Sequence, residues 1–450
     1  MQDLIRKYNV AGPRYTSYPT VPYWDDESFS YNRWQNTIQS SPNRSEAISL
    51  YIHLPFCESL CTFCACNKRI TKKHSVELPY IKALLKELDL YTNLYGHKLS
   101  VKDIHFGGGT PTFFSPENLE ILLKGILQRA YISEDASFSF EGHPNNTTKE
   151  HLKVLHDYHF NRVSYGIQDY NPEVQDAINR RQSLENVQFV TETARKTGYK
   201  SVGHDLIYGL PFQTVDHILN TIEKTIALRP DRIAFYSYAH TPWIKGNGQR
   251  GFKDKDLPDA NTKRQQYELG KAMLENNGYH EIGMDHFALA EDELYKALNN
   301  KTLHRNFMGY TTQHTSHLIG LGVSSISDAW FGFAQNEKHL EDYYERLRQN
   351  KIPVFRGHIL TTEDVEIRRH ILNLMTKFET DLSETNLNSK DLHLIYHHLK
   401  PFIEDDLIRI KDKHIFVKPE AKAFIRNICM AFDLRMLRKQ PEKKLFSMTI

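Results

Sequence analysis

Between about residues 47 and 240, short apolar runs alternate with longer amphipathic ones. Strand-length runs are AISLYIHL (47–54), VKDIHF (101–106), ASFSFEG (136–142), NRVSYGIQ (161–168), KSVGHDLIYGL (200–210) and DRIAFYSYA (231–239). Between them the apolar period lengthens to that of a helix, as in VELPYIKALLKELDLYTNLY (76–95), SPENLEILLKGILQRA (115–130) and TVDHILNTIEKTIAL (214–228). The second helix carries its own start signal, with Ser115 as N-cap, Pro116 at the first helical position and Glu117 in the first turn. Strand alternating with helix predicts parallel βα units, and so an α/β barrel or partial barrel rather than a sandwich.

After about residue 240 the rhythm breaks. The stretch 241–259, rich in Gly, Lys, Asp and Pro, reads as a connector, and 260–350 mixes helix with short β segments. The last hundred residues read as a compact helical module, with EIRRHILNLMTKF (366–378) and DLHLIYHHLKPFIEDDLI (391–408) as helices. RIKDKHIFVK (409–418) reads as a small hairpin, followed by a helix over 420–438.

At 450 residues the chain has room for one large domain and a smaller partner. Its 40% hydrophobic and 25% charged residues suit a folded soluble protein, and a net charge of +2 gives no warrant for nucleic-acid binding. No apolar run reaches membrane-spanning length, and the N-terminus lacks the apolar core of a signal peptide. A cytoplasmic protein without a membrane partner is expected.

Four of the five cysteines fall within ten residues: Cys57, Cys61, Cys64 and Cys66. Disulfide frameworks spread their cysteines apart, so this crowding points to metal or cluster ligation. The loop follows the first strand, at the end where parallel α/β folds place their chemistry. The C-x3-C-x2-C spacing puts three soft thiolates on one loop, enough for three irons of a [4Fe-4S] cube with the fourth left open. Structural zinc, using these three with Cys66 or His53, is the alternative, but no second ligand pair follows downstream. Cys66 reads as a neighbour rather than a ligand, and Cys429 as a buried core thiol. The second strand ends in Gly107-Gly108-Gly109-Thr110-Pro111, where missing Cβ atoms allow a ligand close to the backbone.

The cysteine spacing with an aromatic before the third cysteine resembles the signature of radical S-adenosylmethionine (SAM) enzymes. More specifically, YNVAGPRYTSYPT (8–20), GGGTPT (107–112), GIQDY (166–170), DLIYGLP (205–211), SYAHTP (237–242), GMDHFAL (283–289), LHRNFMGYTT (303–312), GLGVSSIS (320–327) and RNICMAFD (426–433) resemble the oxygen-independent coproporphyrinogen III oxidases. That resemblance implies a partial (β/α)6 radical SAM barrel over 47–240. It also implies an N-terminal extension (1–46) closing the active site, a connector and barrel-associated segment (241–360) and a mostly helical C-terminal domain (361–450). It implies a [4Fe-4S] cluster on Cys57, Cys61 and Cys64. Tyr51, Gly108, Glu141 and Ile326 are implied contacts of the cluster-bound SAM. Phe63, Gly109, Thr110, Gln168, Arg180, Asp205 and Ala239 are implied contacts of a second SAM. The implied reaction turns two propionates of coproporphyrinogen III into vinyl groups through a 5′-deoxyadenosyl radical, giving protoporphyrinogen IX in haem biosynthesis. The partners expected are that porphyrinogen and an electron donor such as flavodoxin or ferredoxin, with the enzyme itself a monomer.

The substrate's four carboxylates call for basic groups, and Arg14 and Arg305 are the candidates, with Lys68 after them. Two positions depart from the family pattern: His143, where an acidic residue is frequent, and Met308, where Gln is common. The second leaves the number of bound SAM molecules open. A tetrapyrrole methyltransferase and a haem-carrying chaperone share the radical SAM core, but the GPRYTSYPT segment fits them less well.

Overall fold

The computed structural model describes residues 2–242, 249, 251–439 and 445–449; of the connector expected over 241–259, residues 243–248 and 250 lie outside the described residues. Six strands form the centre: β1 (Ile48–Leu54), β2 (Leu99–Gly108), β3 (Ala130–Gly142), β4 (Phe160–Gln168), β5 (Ser201–Tyr208) and β6 (Arg232–Ser237). Each overlaps one of the six strand-length runs in the sequence. They pair in parallel in chain order. β1 is buried at six of its seven positions, the near-continuous burial of a parallel strand covered on both faces.

Helices return the chain between them. α1 (Glu77–Tyr95), α2 (Pro116–Arg129) and α3 (Val215–Leu228) fall where the helical period placed them. Ser115 caps α2 as its side chain accepts the Asn118 N–H, and Thr214 caps α3 from the His217 N–H. Gly96 ends α1 in the left-handed conformation at φ 75°.

The sheet is wider than the six expected strands. β7 (Tyr279–Gly283) and β8 (His286–Leu289) add antiparallel to β6, while β9 (Leu318–Leu321) pairs in parallel with β1 on the other edge. β10 (Ile326–Asp328), β11 (Gly332–Asn336) and β12 (Val354–Ile359) continue antiparallel from β9. The result is an open sheet of twelve strands in the order β12-β11-β10-β9-β1-β2-β3-β4-β5-β6-β8-β7, a partial barrel that does not close.

β9 is locked to α1 by Glu87. Its buried carboxylate accepts from the Gly322 N–H (2.8 Å), Asn336 Nδ2 (2.6 Å) and the Tyr343 hydroxyl (2.7 Å). Burial still pushes its pKa up to about 7.

A second apolar core gathers Ile367, Leu374, Ile395, Phe402, Ile415 and Phe424 with Tyr8, Tyr15 and Tyr18 of the N-terminal segment. The hairpin expected at 409–418 is present as Ile408–Lys411 and His414–Val417, joined by Glu379–Asp381 into three strands. The helix expected over 420–438 is instead broken into a 3-10 turn (Pro419–Phe424) and two short helices (Ile425–Met430, Leu434–Arg438). Asp433 causes the second break, because its carboxylate accepts the Met436 N–H and starts a new helix. Cys429 is fully buried in this core, as expected. No described helix is long and apolar enough to cross a membrane.

Candidate active site

The loop after β1 is closed at its base by Phe56–Cys57, which pairs in parallel with Arg69–Ile70. Its middle is pinned to the turn after β4: the Thr62 N–H donates to Ile178 O (2.9 Å) and Asn179 Nδ2 to Leu60 O (2.7 Å). Cys57, Cys61 and Cys64 are all partly buried, and none is in a disulfide. The Cys57 thiol lies 3.4 Å from the Thr110 hydroxyl, and the Arg180 guanidinium donates to Cys61 Sγ at 3.7 Å.

The thiols differ electrostatically. Burial pushes Cys57 up to about 11. Cys64 falls to about 6, chiefly because the Cys66 thiol hydrogen-bonds it, with Lys68 and Arg180 adding positive charge against the cost of burial. Cys66 is raised in turn by the same bond. The shift at Cys64 is toward the thiolate, the form a metal ligand needs. Lys68 donates to the carbonyls of Cys64 and Cys66, both at 3.2 Å, so the loop itself engages it.

Among the described residues no three His, Cys, Asp or Glu side chains converge on one ion, as structural zinc would require. A cluster asks for something else, since each thiolate holds its own iron.

The glycines at the end of β2 answer first to the chain's own packing. Gly108 has φ +116°, and a Cβ there would stand 2.7 Å from the His53 ring. At Gly109 a Cβ would stand 2.6 Å from the Pro55 carbonyl. The Gly108 N–H donates to Glu141 at 3.3 Å, and the other Glu141 oxygen meets His105 Nε2 at 3.4 Å. Burial works to raise the Glu141 carboxyl, but His105, the Gly108 N–H and His53 outweigh it and hold the pKa below its ordinary value. The Tyr51 hydroxyl bonds His53 Nδ1 (3.0 Å), and its ring stacks on His105 at 6.0 Å. Tyr51, Gly108 and Glu141 thus form one group, completed by His53 and His105. Ile326, on β10, stands two strands over from β1.

The second group lies beside Cys61. Arg180 donates to Gly166 O (2.6 Å) as well as to the thiol, while its buried Nε has no partner. Gln168 is buried at φ 68° with its Oε1 unpartnered. Asp205 accepts from the Ser164 hydroxyl (2.9 Å), and burial raises its pKa to about 7. Phe63 and Ala239 are joined by a residue that sequence reasoning missed: the Gln249 amide donates to both carbonyls (3.2 and 2.9 Å). His143 sits near Arg180, and burial together with that charge keeps it neutral. A cavity of ≈ 160 Å³ lies between these groups, walled by Glu141, Asp205, Tyr236, His286, Met308 and Tyr310.

Arg14 and Arg305 border the same wall. Arg14 pairs with Asp285. Arg305 is 6% exposed, rests 4.5 Å from the Tyr310 ring centre and gives one N–H to Arg14 O (3.3 Å). Its Nε and second terminal nitrogen are buried without partners. His286 Nδ1, nearby, is likewise unpartnered.

The residues fit the cofactors the motifs imply. Three thiols on a pinned loop suit the cluster. The half-exposed Glu141 carboxylate and the unpartnered atoms of Gln168 and Arg180 suit a polar ligand such as SAM.

Comparison with known proteins agrees. Residues 51–225 match the radical SAM superfamily. Oxygen-independent coproporphyrinogen III oxidase of Escherichia coli K12 is 38% identical, covering 99% of this chain and 98% of its own. The Pseudomonas aeruginosa enzyme of the same name is 37% identical, covering 96% and 95%. The solved structure of coproporphyrinogen III oxidase from Escherichia coli, a radical SAM enzyme, superposes with a TM-score of 0.89 at 37% identity, covering 96% of this chain and 98% of that one. The chain belongs to the oxygen-independent coproporphyrinogen III oxidases of the radical SAM superfamily.

Proposed function

We propose that this chain oxidatively decarboxylates two propionates of coproporphyrinogen III without oxygen, giving protoporphyrinogen IX in haem biosynthesis. One observation carries the reading: the pinned three-cysteine loop at the end of β1 sits in a chain that matches these oxidases over nearly its whole length. Each propionate loses a hydrogen atom from its β-carbon, one electron and carbon dioxide, and leaves a vinyl group. That hydrogen is beyond ordinary acid–base groups. A [4Fe-4S] cluster and SAM are the cofactors, and together they supply a carbon radical able to take it.

The chain's own residues bind and orient. Cys57, Cys61 and Cys64 hold the cluster. Tyr51, Gly108, Glu141 and Ile326 receive the SAM bound to it, with Glu141 accepting from the methionine ammonium or a ribose hydroxyl. Phe63, Gly109, Thr110, Gln168, Arg180, Asp205 and Ala239 receive a second SAM. Arg305, a buried cation with free N–H groups, takes a substrate carboxylate as a charge-assisted bond, and Arg14, held by Asp285, supports it through its backbone carbonyl. The enzyme acts as a cytoplasmic monomer, reduced by a carrier such as flavodoxin or ferredoxin. Its residues divide into an extension over 1–46 that closes the site, a barrel over 47–240, a barrel-associated segment over 241–360 and a C-terminal domain over 361–450.

The test is anaerobic reconstitution followed by incubation with SAM, reductant, an electron acceptor and coproporphyrinogen III, with Cys61→Ala as control. Protoporphyrinogen with 5′-deoxyadenosine, lost in the control, is the expected result. SAM cleavage with the porphyrinogen intact would leave the enzyme class standing and overturn the substrate.

A further inference from the structure

A groove of ≈ 560 Å³ opens beside the cysteine loop, and none of the residues assigned to SAM lines it. One wall is the descending half of that loop, with Cys66, Lys68 and Arg69; the other follows β11, with Lys338 and His339. Asn67 Nδ2 bonds the Lys338 carbonyl (3.0 Å), so the two walls are tied together. Its charge is lopsided. Arg69 and Lys338 are exposed, Lys68 is partly so, and Lys72 and Lys73 stand exposed two turns of chain further on. Arg356 lies close enough to Lys338 to depress its ammonium, after burial itself. Against these stand Glu341, 3.6 Å from Arg69, and Asp26, 3.9 Å from Arg356. The whole chain carries only +2, so this concentration is local. Two large apolar side chains flank the loop in solvent, Leu60 at 38% and Ile70 at 42% exposed.

The reaction requires an electron to reach the cluster loop, and this groove brings solvent to within two residues of the ligand Cys64. We propose that the groove walled by Lys68, Arg69 and Lys338 is the docking surface for an acidic one-electron carrier protein. The inference rests on the reading of Cys57, Cys61 and Cys64 as cluster ligands. A basic rim steers an acidic partner and sets its orientation, and the exposed Leu60 and Ile70 of the flanking loop add short-range contact. Electron-transfer encounters are characteristically small and transient, which a groove of this size suits.

The test uses the full reconstituted chain and the double variant Arg69→Glu/Lys338→Glu, neither residue being in the proposed SAM or substrate machinery. Binding of a flavodoxin is titrated calorimetrically at low and raised salt, without substrate. Protoporphyrinogen formation is then compared with reduced flavodoxin and with dithionite. The expected result is flavodoxin binding weakened about tenfold at low salt, with less salt dependence. Flavodoxin-driven turnover falls in step, while dithionite-driven kcat and KM stay at the parent's values. Arg69→Lys/Lys338→Arg restores binding. Binding and flavodoxin-driven rates equal to the parent's would overturn the assignment. So would a raised KM for coproporphyrinogen under dithionite, which would make the groove a substrate entrance. No protoporphyrinogen from the parent under either reductant would fault the reaction, while flavodoxin binding weakened in the double variant would still support the docking surface.

Discussion

Arg305 allows the substrate reading to be tested in two directions at once. Replacing it with Met keeps the unbranched apolar stem, shortens the side chain and removes the charge. In the free enzyme Arg305 gives one hydrogen bond and one cation–π contact to Tyr310, while two of its nitrogens are buried unpartnered. The losses on substitution come to about 2–5 kcal/mol, from roughly 1.5–3 for a bond to a charged group and ~0.5–2 for the ring contact. The relief comes to about 2–6 kcal/mol, at ~1–3 for each orphaned donor. The two nearly cancel, so Arg305→Met should leave unfolding stability within about 2 kcal/mol of the parent. A structural arginine with a buried carboxylate partner would instead cost about 3–5 kcal/mol. With substrate the balance changes, because a propionate fills the vacant N–H positions. Loss of a charge-assisted bond worth about 1.5–3 kcal/mol lowers kcat/KM for coproporphyrinogen by roughly 10- to 150-fold. Arg305→Lys recovers part of this, since an ammonium keeps the charge without the fork. Denaturant unfolding and steady-state kinetics on one preparation supply both numbers. A variant strongly destabilised, yet with parent kcat/KM in the fraction that folds, would refute the reasoning.

Asp205 gives a pH prediction. Its folded pKa, raised by burial to about 7 against an ordinary 3.8, makes ionisation costly to the fold, so its contribution to stability falls as pH rises from about 4 to 7. The carboxylate that would accept from SAM forms fully only above that window, so SAM binding should tighten between pH 6 and 8, and Asp205→Asn should flatten the profile in equilibrium dialysis. At Gly109 an added methyl meets backbone, which cannot rotate away; Gly109→Ala should displace the start of the cysteine loop at a cost of about 1–3 kcal/mol and lower iron content per chain after reconstitution. Arg368, on the helix Thr362–Lys377, joins β10 through Asp328 (2.5 Å) and the Trp330 carbonyl (2.7 Å). Arg368→Ala leaves Asp328 in a site made for a cation and should cost about 3–5 kcal/mol in denaturant unfolding.

What was legible in the sequence was what local pattern controls. The strands β1 to β6 and the helix starts at Ser115 and Thr214 could be read because burial on both faces and side-chain caps are written within a few residues. β9 could not, because LIGL is four residues long and its partner, β1, lies some 270 residues earlier. The break at Asp433 was hidden because one carboxylate, by capping, overrode an otherwise helical run. At the site, Gln249 was missed for a related reason: an isolated amide in a loop carries no periodic signal, and only the fold brings it to Phe63 and Ala239 together. His105 did leave a trace, since Asp103 and His105 alternate with Ile104 and Phe106 along β2 and so share one face.

The glycines after β2 have a packing role beside the one the motif suggests. Three in succession suggest backbone laid open to a ligand, yet the space beside Gly108 and Gly109 is filled by His53 and Pro55 of the neighbouring strand and loop. Their physical work is to let β2 close on the segment that leads into Cys57, and that closeness puts Thr110 beside the Cys57 thiol and the Gly108 N–H beside Glu141. A second ligand-facing signal is polar atoms that folding has buried and left unpaired. Gln168 Oε1, Arg180 Nε, His286 Nδ1 and two nitrogens of Arg305 are among them. Arg180 meets Cys61, His286 lines the cavity and Arg305 stands against its Tyr310, while others, such as Trp34 Nε1 and His204 Nδ1, lie in the core. Each such atom costs about 1–3 kcal/mol in the free protein. A chain could shed that cost by changing the residue, unless a ligand supplies the missing partner. Arg305→Met measures that balance at one of them, and Gln168→Leu, which removes an unpaired oxygen without changing the strand, should likewise hold stability while weakening SAM binding.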